Sequence, residues 1–254
     1  MIQGLCFICK QLKENIILEK LLQGDCLKLM EEVEDNSIDM ILCDLPYGTT
    51  KNSWDSIIPF DELWKQYERI IKDNGVIVLF GQEPFSSRLR LSNIKMYRYD
   101  WTWIKESASG FLNAHRMPLK NSETISIFYK KLPVYNPQMR IGFKPYSVKQ
   151  GKTKSSNYGK QTGATTVSNG ERFPITTINF KRDKNKLHPT QKPVALLEYL
   201  IKTYTNEGEV VLDNCMGSGS TGVACVNTNR DFIGMELEEK YFDIAKERIK
   251  QAKK

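Results

Sequence analysis

The fold of this chain is decided by the stretch VVLDNCMGSGSTG, residues 210–222. A short apolar run leads into a glycine-rich turn, and residues with helical spacing follow as far as Thr228. In such a strand–turn–helix unit, backbone amides and a helix N-terminus can approach a ligand closely. No lysine follows the glycines, so the turn is not a phosphate-binding loop of the Walker type.

Strands and helices alternate through most of the remaining sequence. Apolar runs predict strands over residues 37–43, 76–80, 97–104, 124–129, 209–213 and 231–235. Helical spacing predicts helices over residues 60–72, 84–91, 194–204, 219–228 and 238–250. This alternation indicates an α/β fold with a mostly parallel sheet.

Length and composition limit the classes of protein that the chain can belong to. The chain has 254 residues, of which 40% are hydrophobic and 10% aromatic, so it can build a core and is not disordered throughout. No run approaches the roughly 18 apolar residues of a membrane span. The apolar start, residues 1–9, lacks a basic leader and a cleavage site, so we expect a cytoplasmic protein.

The charge is divided unevenly along the chain. Residues 105–186 hold 16 Lys and Arg against 4 Asp and Glu, whereas the rest holds 21 against 26. Such asymmetry indicates a region that contacts a polyanion, although a solvated surface would also fit. Apolar residues are scarce in residues 149–160, and no period is visible there. We therefore predict two ordered parts over 1–130 and 187–254, separated by a basic insert over 131–186.

The six cysteines indicate neither a disulfide scaffold nor a metal site. Cys6 and Cys9 form a lone C-x-x-C, with no second Cys/His pair at the spacing of a zinc site. The other cysteines are expected to be small buried residues of a protein from a reducing compartment. We predict no bound metal.

A second motif, Cys43-Asp44-Leu45-Pro46-Tyr47-Gly48, follows directly after a predicted buried strand. This position places it in the crevice where open α/β sheets bind their ligands. The Asp44 carboxylate and the Leu45 carbonyl, held rigid by Pro46, could accept two hydrogen bonds from an exocyclic amine. Tyr47 offers a ring on which a planar base could stack. An ordinary strand-to-turn step remains the alternative.

Two further segments complete the candidate site. Glu236 ends the strand that follows the glycine-rich turn, a position suited to hydrogen bonding with ribose hydroxyls. The segment His188-Pro189-Thr190-Gln191-Lys192-Pro193 precedes a predicted helix. It could hold a carboxylate through Thr190, Lys192 and helix-terminal amides, or it could simply begin the helix.

In this order, the three motifs resemble the permuted (β-type) S-adenosylmethionine-dependent DNA amino-methyltransferases. In that family a D/N/S-P-P-Y motif comes first, followed by a target-recognition region, H-P-x-Q-K-P and the glycine-rich cofactor motif. The resemblance covers residues 24–248. It implies that residues 1–130 form the catalytic half of the methyltransferase domain, 131–186 the basic target-recognition insert and 187–254 the cofactor-binding half. The first motif departs from the family because it reads D-L-P-Y, which loosens the turn but keeps the Leu45 carbonyl. Residues 213–216 also differ from the usual D-P-F/C-x, but the glycines are intact.

The resemblance implies a Rossmann-like sheet of seven strands with helices on both faces, and S-adenosylmethionine as the cofactor. It assigns base-amine methylation to four catalytic residues, Asp44, Leu45, Pro46 and Tyr47. The cofactor-binding residues that it implies are Asp25 and Cys26, Thr190 and Lys192, Asp213, Gly217, Ser218, Gly219, Thr221 and Glu236. Asp25 is expected near the adenine ring of the cofactor.

The implied partner is double-stranded DNA, from which the target base must be flipped into the pocket. Backbone contacts are expected from five residues, Arg116, Lys120, Lys149, Lys152 and Lys154. Trp54 could line the pocket or the core, and Asn113 and His115 could touch DNA. The sequence leaves open whether the chain forms a homodimer.

Family tendency favours adenine N6 as the target, because Asp stands first in the catalytic motif. Cytosine N4 is the alternative, and an RNA amino group is a further one. A nucleic-acid-binding module without catalysis is disfavoured by the intact Asp44, Pro46, Tyr47 and glycine set.

Overall fold

The computed structural model describes residues 19–49, 55–149, 151, 153–155, 159–161, 163–184, 187–188 and 191–254; for 153–155 and 159–161 only the backbone is described. The described strands are β1 Glu19–Gln23, β2 Ile38–Cys43, β3 Ile71–Gly81, β4 Tyr97–Ser109, β5 Lys120–Phe128, β6 Tyr146–Lys149, β7 Thr153–Ser155, β8 Gly159–Gln161, β9 Thr165–Ser168, β10 Thr177–Asn179, β11 Val210–Asp213 and β12 Asp231–Glu236. The described helices are α1 Cys26–Met30, α2 Phe60–Ile70, α3 Phe85–Ser92, α4 Val194–Tyr204, α5 Ser220–Asn227 and α6 Glu239–Ala252.

Eight of these strands form one sheet in the order β1-β12-β11-β2-β3-β5-β4-β10. All neighbouring pairs are parallel except those of β5, which runs antiparallel to both β3 and β4. The predicted α/β class and mostly parallel sheet are confirmed. The expected count of seven strands is wrong by one, because β10 adds a short parallel strand beside β4. Its three residues lie in a region that lacks an apolar run, so the sequence pattern does not reveal it.

Helices cover both faces of this sheet. Along β2, Met40 and Leu42 belong to one buried cluster, and Ile41 and Cys43 belong to another. Successive strand side chains point to opposite faces, so the two clusters lie on opposite sides of the sheet. The first cluster includes residues of α4, α5 and α6, and the second includes residues of α1, α2 and α3.

Most predicted elements are found within a few residues of their expected bounds. Helix α2 was expected to continue to Lys72, but Ile71 already begins β3 because it pairs with Ile38 of β2. Strand β4 is longer than predicted, and it forms an antiparallel hairpin with β5 around a tip at residues 110–119. Neither β1 nor α1 was predicted from the sequence.

Residues 137–175 form a separate compact unit inside the predicted insert, and the residues that flank them group with the larger unit. The small unit contains two antiparallel strand pairs, β6 with β9 and β7 with β8. Arg172 organises it by donating to the Lys144 carbonyl (2.7 Å) and by lying over the rings of Phe143 and Tyr146 (5.3 and 4.4 Å). None of its described hydrophobic side chains is buried. Stacking between Arg and aromatic side chains therefore takes the place of a hydrophobic core in this unit.

Within the described ranges, no helix is long and apolar enough to cross a membrane. Over the same ranges, no group of three or more His, Cys, Asp or Glu residues could hold a metal ion. Cys6 and Cys9 lie outside the described residues.

Candidate active site

The candidate site lies along one edge of the large sheet, where five parallel strands end side by side. A cavity of about 650 Å³ opens at this edge, within the size range of small-molecule sites. Residues directly after these strands line it, in agreement with the position of ligands in open α/β sheets. They are Gly24 after β1, Asp44 after β2, Gln82 after β3, Asn214 after β11 and Leu237 after β12, and Asp25 lines the cavity next to Gly24.

The D-L-P-Y motif forms one wall of the cavity, and its two polar side chains contact each other. The Tyr47 hydroxyl donates to Oδ1 of Asp44 at 2.5 Å. The Tyr47 ring packs on Phe85 at a centroid distance of 4.8 Å, so one face of the ring is covered by protein. Burial, together with the negative charge of Asp44, raises the pKa of Tyr47 well above its usual value, and the hydroxyl remains a donor.

Asp55 holds the turn that follows Tyr47. Its two carboxylate oxygens accept from the backbone N–H groups of Gly48 and Thr49, each at 2.9 Å. Asp55 is buried, and charge-assisted hydrogen bonds of this kind are stronger than neutral ones. The turn can therefore keep its shape although Leu45 replaces the first proline of the family motif.

A buried network of charged side chains extends from Asp44 to the floor of the cavity. Lys192 donates to Oδ2 of Asp44 and lies 3.5 Å from Oε2 of Glu123, and Lys105 donates to Oε1 of Glu123. Burial lowers the pKa of Lys192, but the attraction of Asp44 and Glu123 outweighs it and raises that pKa overall. Burial and the charge of Glu123 raise the pKa of Asp44, against the opposing attraction of Lys192.

The glycine-rich turn is held by Asp213 at its base. Oδ2 of Asp213 accepts from the Thr221 hydroxyl (2.6 Å), and Oδ1 accepts from the Cys215 N–H (3.1 Å). Burial raises the pKa of Asp213 to about 6. Gly219 has φ +77°, and an added Cβ would lie 2.8 Å from Cβ of Ala245. A side chain at this position would thus be strained and would collide with α6.

Glu236 ties the glycine-rich turn to the ends of two strands. Its Oε2 accepts from the Gly217 N–H (2.8 Å), and its Oε1 accepts from the Glu238 N–H (2.9 Å). Its backbone carbonyl accepts from the Gly24 N–H at the end of β1 (2.9 Å). Burial raises the pKa of Glu236. The carboxylate lines the cavity and also fixes the backbone of its glycine-rich wall.

The segment before α4 forms a further part of the cavity wall. Oε1 of Gln191 accepts from Leu187 N–H (3.0 Å) and from the Ser218 hydroxyl (3.3 Å), which joins this segment to the glycine-rich turn. The His188 ring packs edge-on against Tyr241 at 4.2 Å. Burial and the nearby Lys192 lower the pKa of His188 to about 4, so the imidazole is neutral at neutral pH.

The structure brings most of the predicted site residues together. Twelve of them line the same cavity: Asp25, Cys26, Asp44, Leu45, Pro46, Tyr47, Lys192, Asp213, Gly217, Ser218, Thr221 and Glu236. Gly219 is not part of the lining and packs against α6. Lys192 pairs with Asp44 of the D-L-P-Y motif, although the sequence analysis placed it among the cofactor-binding residues.

The remaining predicted residues lie elsewhere or outside the described residues. Arg116 and Lys120 are exposed on the β4–β5 hairpin, as are Asn113 and His115. Lys149 is exposed on β6, and Lys154 belongs to β7. Trp54, Lys152 and Thr190 lie outside the described residues.

The sequence analysis missed Gln82, Lys105 and Glu123, which also line the cavity. Gln82 could have been found, because it follows a continuous apolar strand in the same way as Asp44. Strand β5 runs antiparallel to β3 and β4, so the first residues of β5 lie at the edge of the sheet where the parallel strands end. Glu123 reaches the site only for this reason. No local pattern in the sequence indicates that reversal.

The large sheet is mostly parallel, and one cavity is lined by the glycine-rich turn, the acid at the end of the next strand and the D-L-P-Y turn. Together these features define a methyltransferase of the Rossmann-like class. The family model for N6/N4 DNA methylases matches residues 38–247. The chain therefore belongs to the N6/N4 DNA methylase family, whose members transfer a methyl group from S-adenosylmethionine to an amino group of DNA.

Individual relatives agree with this membership. The type II methyltransferase M2.LlaDCHI of Lactococcus lactis subsp. cremoris is 30% identical, over 93% of this chain and 90% of the relative. The type II methyltransferase M.HpaI of Haemophilus parainfluenzae is 27% identical, over 91% of this chain and 74% of the relative. The crystal structure of the M1.HpyAVI–SAM complex superposes with a TM-score of 0.62 at 26% identity, covering 91% of this chain and all of the other.

Proposed function

We propose that this enzyme methylates N6 of adenine at a specific sequence in double-stranded DNA. The observation that carries the proposal is the shared cavity, in which Asp44 and Tyr47 lie with the glycine-rich turn and Glu236. The choice of adenine is supported by Asp44, since Asp stands first in the motif of many adenine-specific members. Sequence specificity is supported by the relatives that are named type II methyltransferases.

The proposed role of Asp44 and Leu45 is to bind the amine of the target base. The lone pair of an aromatic amine is delocalised into its ring, which makes the nitrogen a weak nucleophile. Hydrogen bonds from the amine to the Asp44 carboxylate and the Leu45 carbonyl favour the tetrahedral nitrogen, whose lone pair can attack. As the N–C bond forms and the S–C bond breaks, positive charge grows on the nitrogen, and the Asp44 carboxylate stabilises it. The sulfonium sulfur is left as a neutral thioether, and the cationic amine, which is acidic once methylated, loses its extra proton to water.

The proposed role of Tyr47 is to stack on the flipped base. Phe85 supports one face of its ring, and the hydrogen bond to Asp44 fixes the hydroxyl end. A ring held in this manner can orient a planar base, because stacking and hydrogen bonding then fix it in two directions. Tyr47 and Asp44 thus act as one preorganised unit.

The residues of the glycine-rich half fit S-adenosylmethionine. When bound, this cofactor supplies an electrophilic methyl group on a sulfonium sulfur. Gly217 leaves space beside the glycine-rich turn, because the atom nearest to an added Cβ would be in the His188 ring, 3.7 Å away. Glu236 and Asp25 present carboxylates to the cavity at two neighbouring strand ends, where ribose hydroxyls and an adenine amine could donate to them.

The proposed DNA contacts come from the basic region. Within the small unit of residues 137–175, seven Lys and Arg stand against one Glu. Arg116 and Lys120 add exposed cations on the β4–β5 hairpin. Contacts of this kind to phosphates position a protein on the duplex, and base readout requires further side chains in a groove.

Two measurements test the proposal. Duplex DNA is incubated with the purified enzyme and S-adenosylmethionine and then digested to nucleosides, and mass spectrometry should detect N6-methyladenine. Methylation-sensitive sequencing of DNA from cells that express the protein should show one short sequence context. N4-methylcytosine as the product would overturn the choice of base, and methylation of RNA but not of DNA would overturn the substrate.

A further inference from the structure

The cavity floor contains two acidic and two basic side chains, of which only Asp44 belongs to the catalytic motif. The exposed side-chain fractions are 8% for Lys105 and Lys192, 9% for Glu123 and 19% for Asp44. Lys192 lies between the two carboxylates, donates to Asp44 and is 3.5 Å from Glu123. Its ammonium also lies 5.1 Å from the centre of the Phe80 ring. Buried ions require partners, and Lys192 can remain paired either with Asp44 or with Glu123.

The two oxygens of Glu123 have different surroundings. Oε1 accepts from Lys105 and from the Gln82 amide (3.3 Å), which anchors the carboxylate. Oε2 is buried, and among the described residues it accepts no hydrogen bond. A movement of Lys192 Nζ by less than about 1 Å would shorten the 3.5 Å separation to an ordinary charge-assisted hydrogen bond.

The proposed function requires an oxygen of Asp44 that is open to the base amine. In the structure, Oδ1 accepts from Tyr47 and Oδ2 accepts from Lys192. The Lys192 ammonium also neutralises the charge that should stabilise the amine as it becomes positive. We propose that Glu123 is a positioning residue that takes Lys192 from Asp44 when the target base enters the pocket. This inference rests on the proposed function.

The exchange leaves every buried charged group with a hydrogen-bonding partner. Before the base enters, Lys192 pairs with Asp44, and afterwards it pairs with Glu123 while the base amine donates to Asp44. Without the Glu123 charge, Lys192 could leave Asp44 only by becoming an unpaired buried cation, which is strongly unfavourable. A Glu123→Gln variant should therefore hold Lys192 on Asp44 and slow the transfer.

The test measures single-turnover methyl transfer to duplex DNA at saturating S-adenosylmethionine. We expect Glu123→Gln to slow transfer by roughly 10- to 100-fold, as for loss of a hydrogen bond between charged groups, with the cofactor Kd changed less than about threefold. Glu123→Asp keeps the charge and should recover part of the rate. The matched control is Glu106→Gln, an exposed Glu of the neighbouring strand β4 that does not line the cavity, and it should transfer at the wild-type rate.

A double variant separates this role from a purely structural one. In Glu123→Gln/Lys192→Met, nothing occupies Asp44 Oδ2, so transfer should be faster than in Glu123→Gln alone. The assay is run at about pH 8.5, several units above the ordinary Asp pKa, to keep the buried Asp44 ionised. A double variant slower than Glu123→Gln, or a Glu123→Gln enzyme at the wild-type rate, would overturn the role of Glu123. If wild type places no methyl group on DNA, the proposed function fails and this inference falls with it.

Discussion

The cavity edge of the large unit and the small unit of residues 137–175 differ in how their charged side chains are placed. At the cavity edge, carboxylates and ammonium groups are buried and paired, as Asp44 and Lys192 are. In the small unit, Lys149 and its neighbours on β6 are exposed, and no described hydrophobic side chain is buried. The first arrangement fixes a few polar atoms with respect to one another, and the second presents positive charge to solvent.

This difference determines what a substitution should do in each region. A change in a buried, preorganised site should alter a rate or a cofactor affinity and depend little on salt, because water and ions are excluded. A change among exposed lysines should alter DNA affinity and its salt dependence while chemistry continues. Substitutions in each region can test that division.

The largest effect is expected from Asp44→Ala. Loss of the carboxylate removes one preorganised hydrogen bond to the base amine, so the methyl-transfer rate should fall by roughly a hundredfold or more. Rapid-quench kinetics with labelled S-adenosylmethionine give this rate directly. The cofactor Kd, from calorimetry, should change little.

Asp44→Ala should not disturb the buried charges around it. Lys192 keeps Glu123 as a partner at 3.5 Å, so the substitution does not leave an isolated buried cation. Asp44→Asn is the matched variant, because Asn retains a carbonyl acceptor and stands first in the motif of some family members. It should transfer faster than Asp44→Ala. Near-normal turnover of Asp44→Ala would show that the amine binds elsewhere.

A smaller effect is expected from Glu236→Ala, measured as cofactor affinity. S-adenosylmethionine binding should weaken by roughly 1.5–3 kcal/mol, the range for a hydrogen bond to a charged group. The contact of Glu236 with the Gly217 N–H adds to this effect, because its loss also frees the turn. DNA binding without cofactor should be preserved.

The control for this prediction is Glu239→Ala, which removes an exposed carboxylate three residues further along the chain. It should leave the calorimetric Kd at the wild-type value. Equal affinities for the Glu236 and Glu239 variants would show that the Glu236 carboxylate neither contacts the cofactor nor holds the turn in a shape that cofactor binding needs.

The same division explains how much of the molecule the sequence reveals. Asp44, Asp213 and Glu236 each follow an apolar strand, so the α/β pattern alone places them at one edge. Glu123 depends on the reversed direction of β5, and β10 depends on pairing with β4; both are long-range features without a local pattern. In the small unit, contacts such as that of Arg172 with Phe143 replace a hydrophobic core. Hydrophobic periodicity therefore does not predict the strands of this unit.

The smallest effect is expected in the small unit, from neutralising Lys149, Lys152 and Lys154 together. If the basic region contacts about six phosphates, log affinity against log salt should slope by roughly −5, because each contact releases counterions. The triple Ala variant should make that slope shallower by up to about three units, with an unchanged cofactor Kd. Fluorescence anisotropy over a salt series measures it.

The control for the lysine variant removes the same charge from the large unit, as Lys28→Ala, Lys65→Ala and Lys246→Ala, all exposed positions. If net charge alone matters, the two triple variants should change the salt slope equally. If phosphate contacts matter, only the Lys149, Lys152 and Lys154 variant should change it. Phosphate contacts carry no base readout, so the target sequence should survive the Lys149, Lys152 and Lys154 substitutions even as affinity falls. An unchanged slope would move the DNA path to Arg116, Lys120 and the residues after Arg172. The division between buried chemistry and exposed charge would then hold for the cavity but not for residues 137–175.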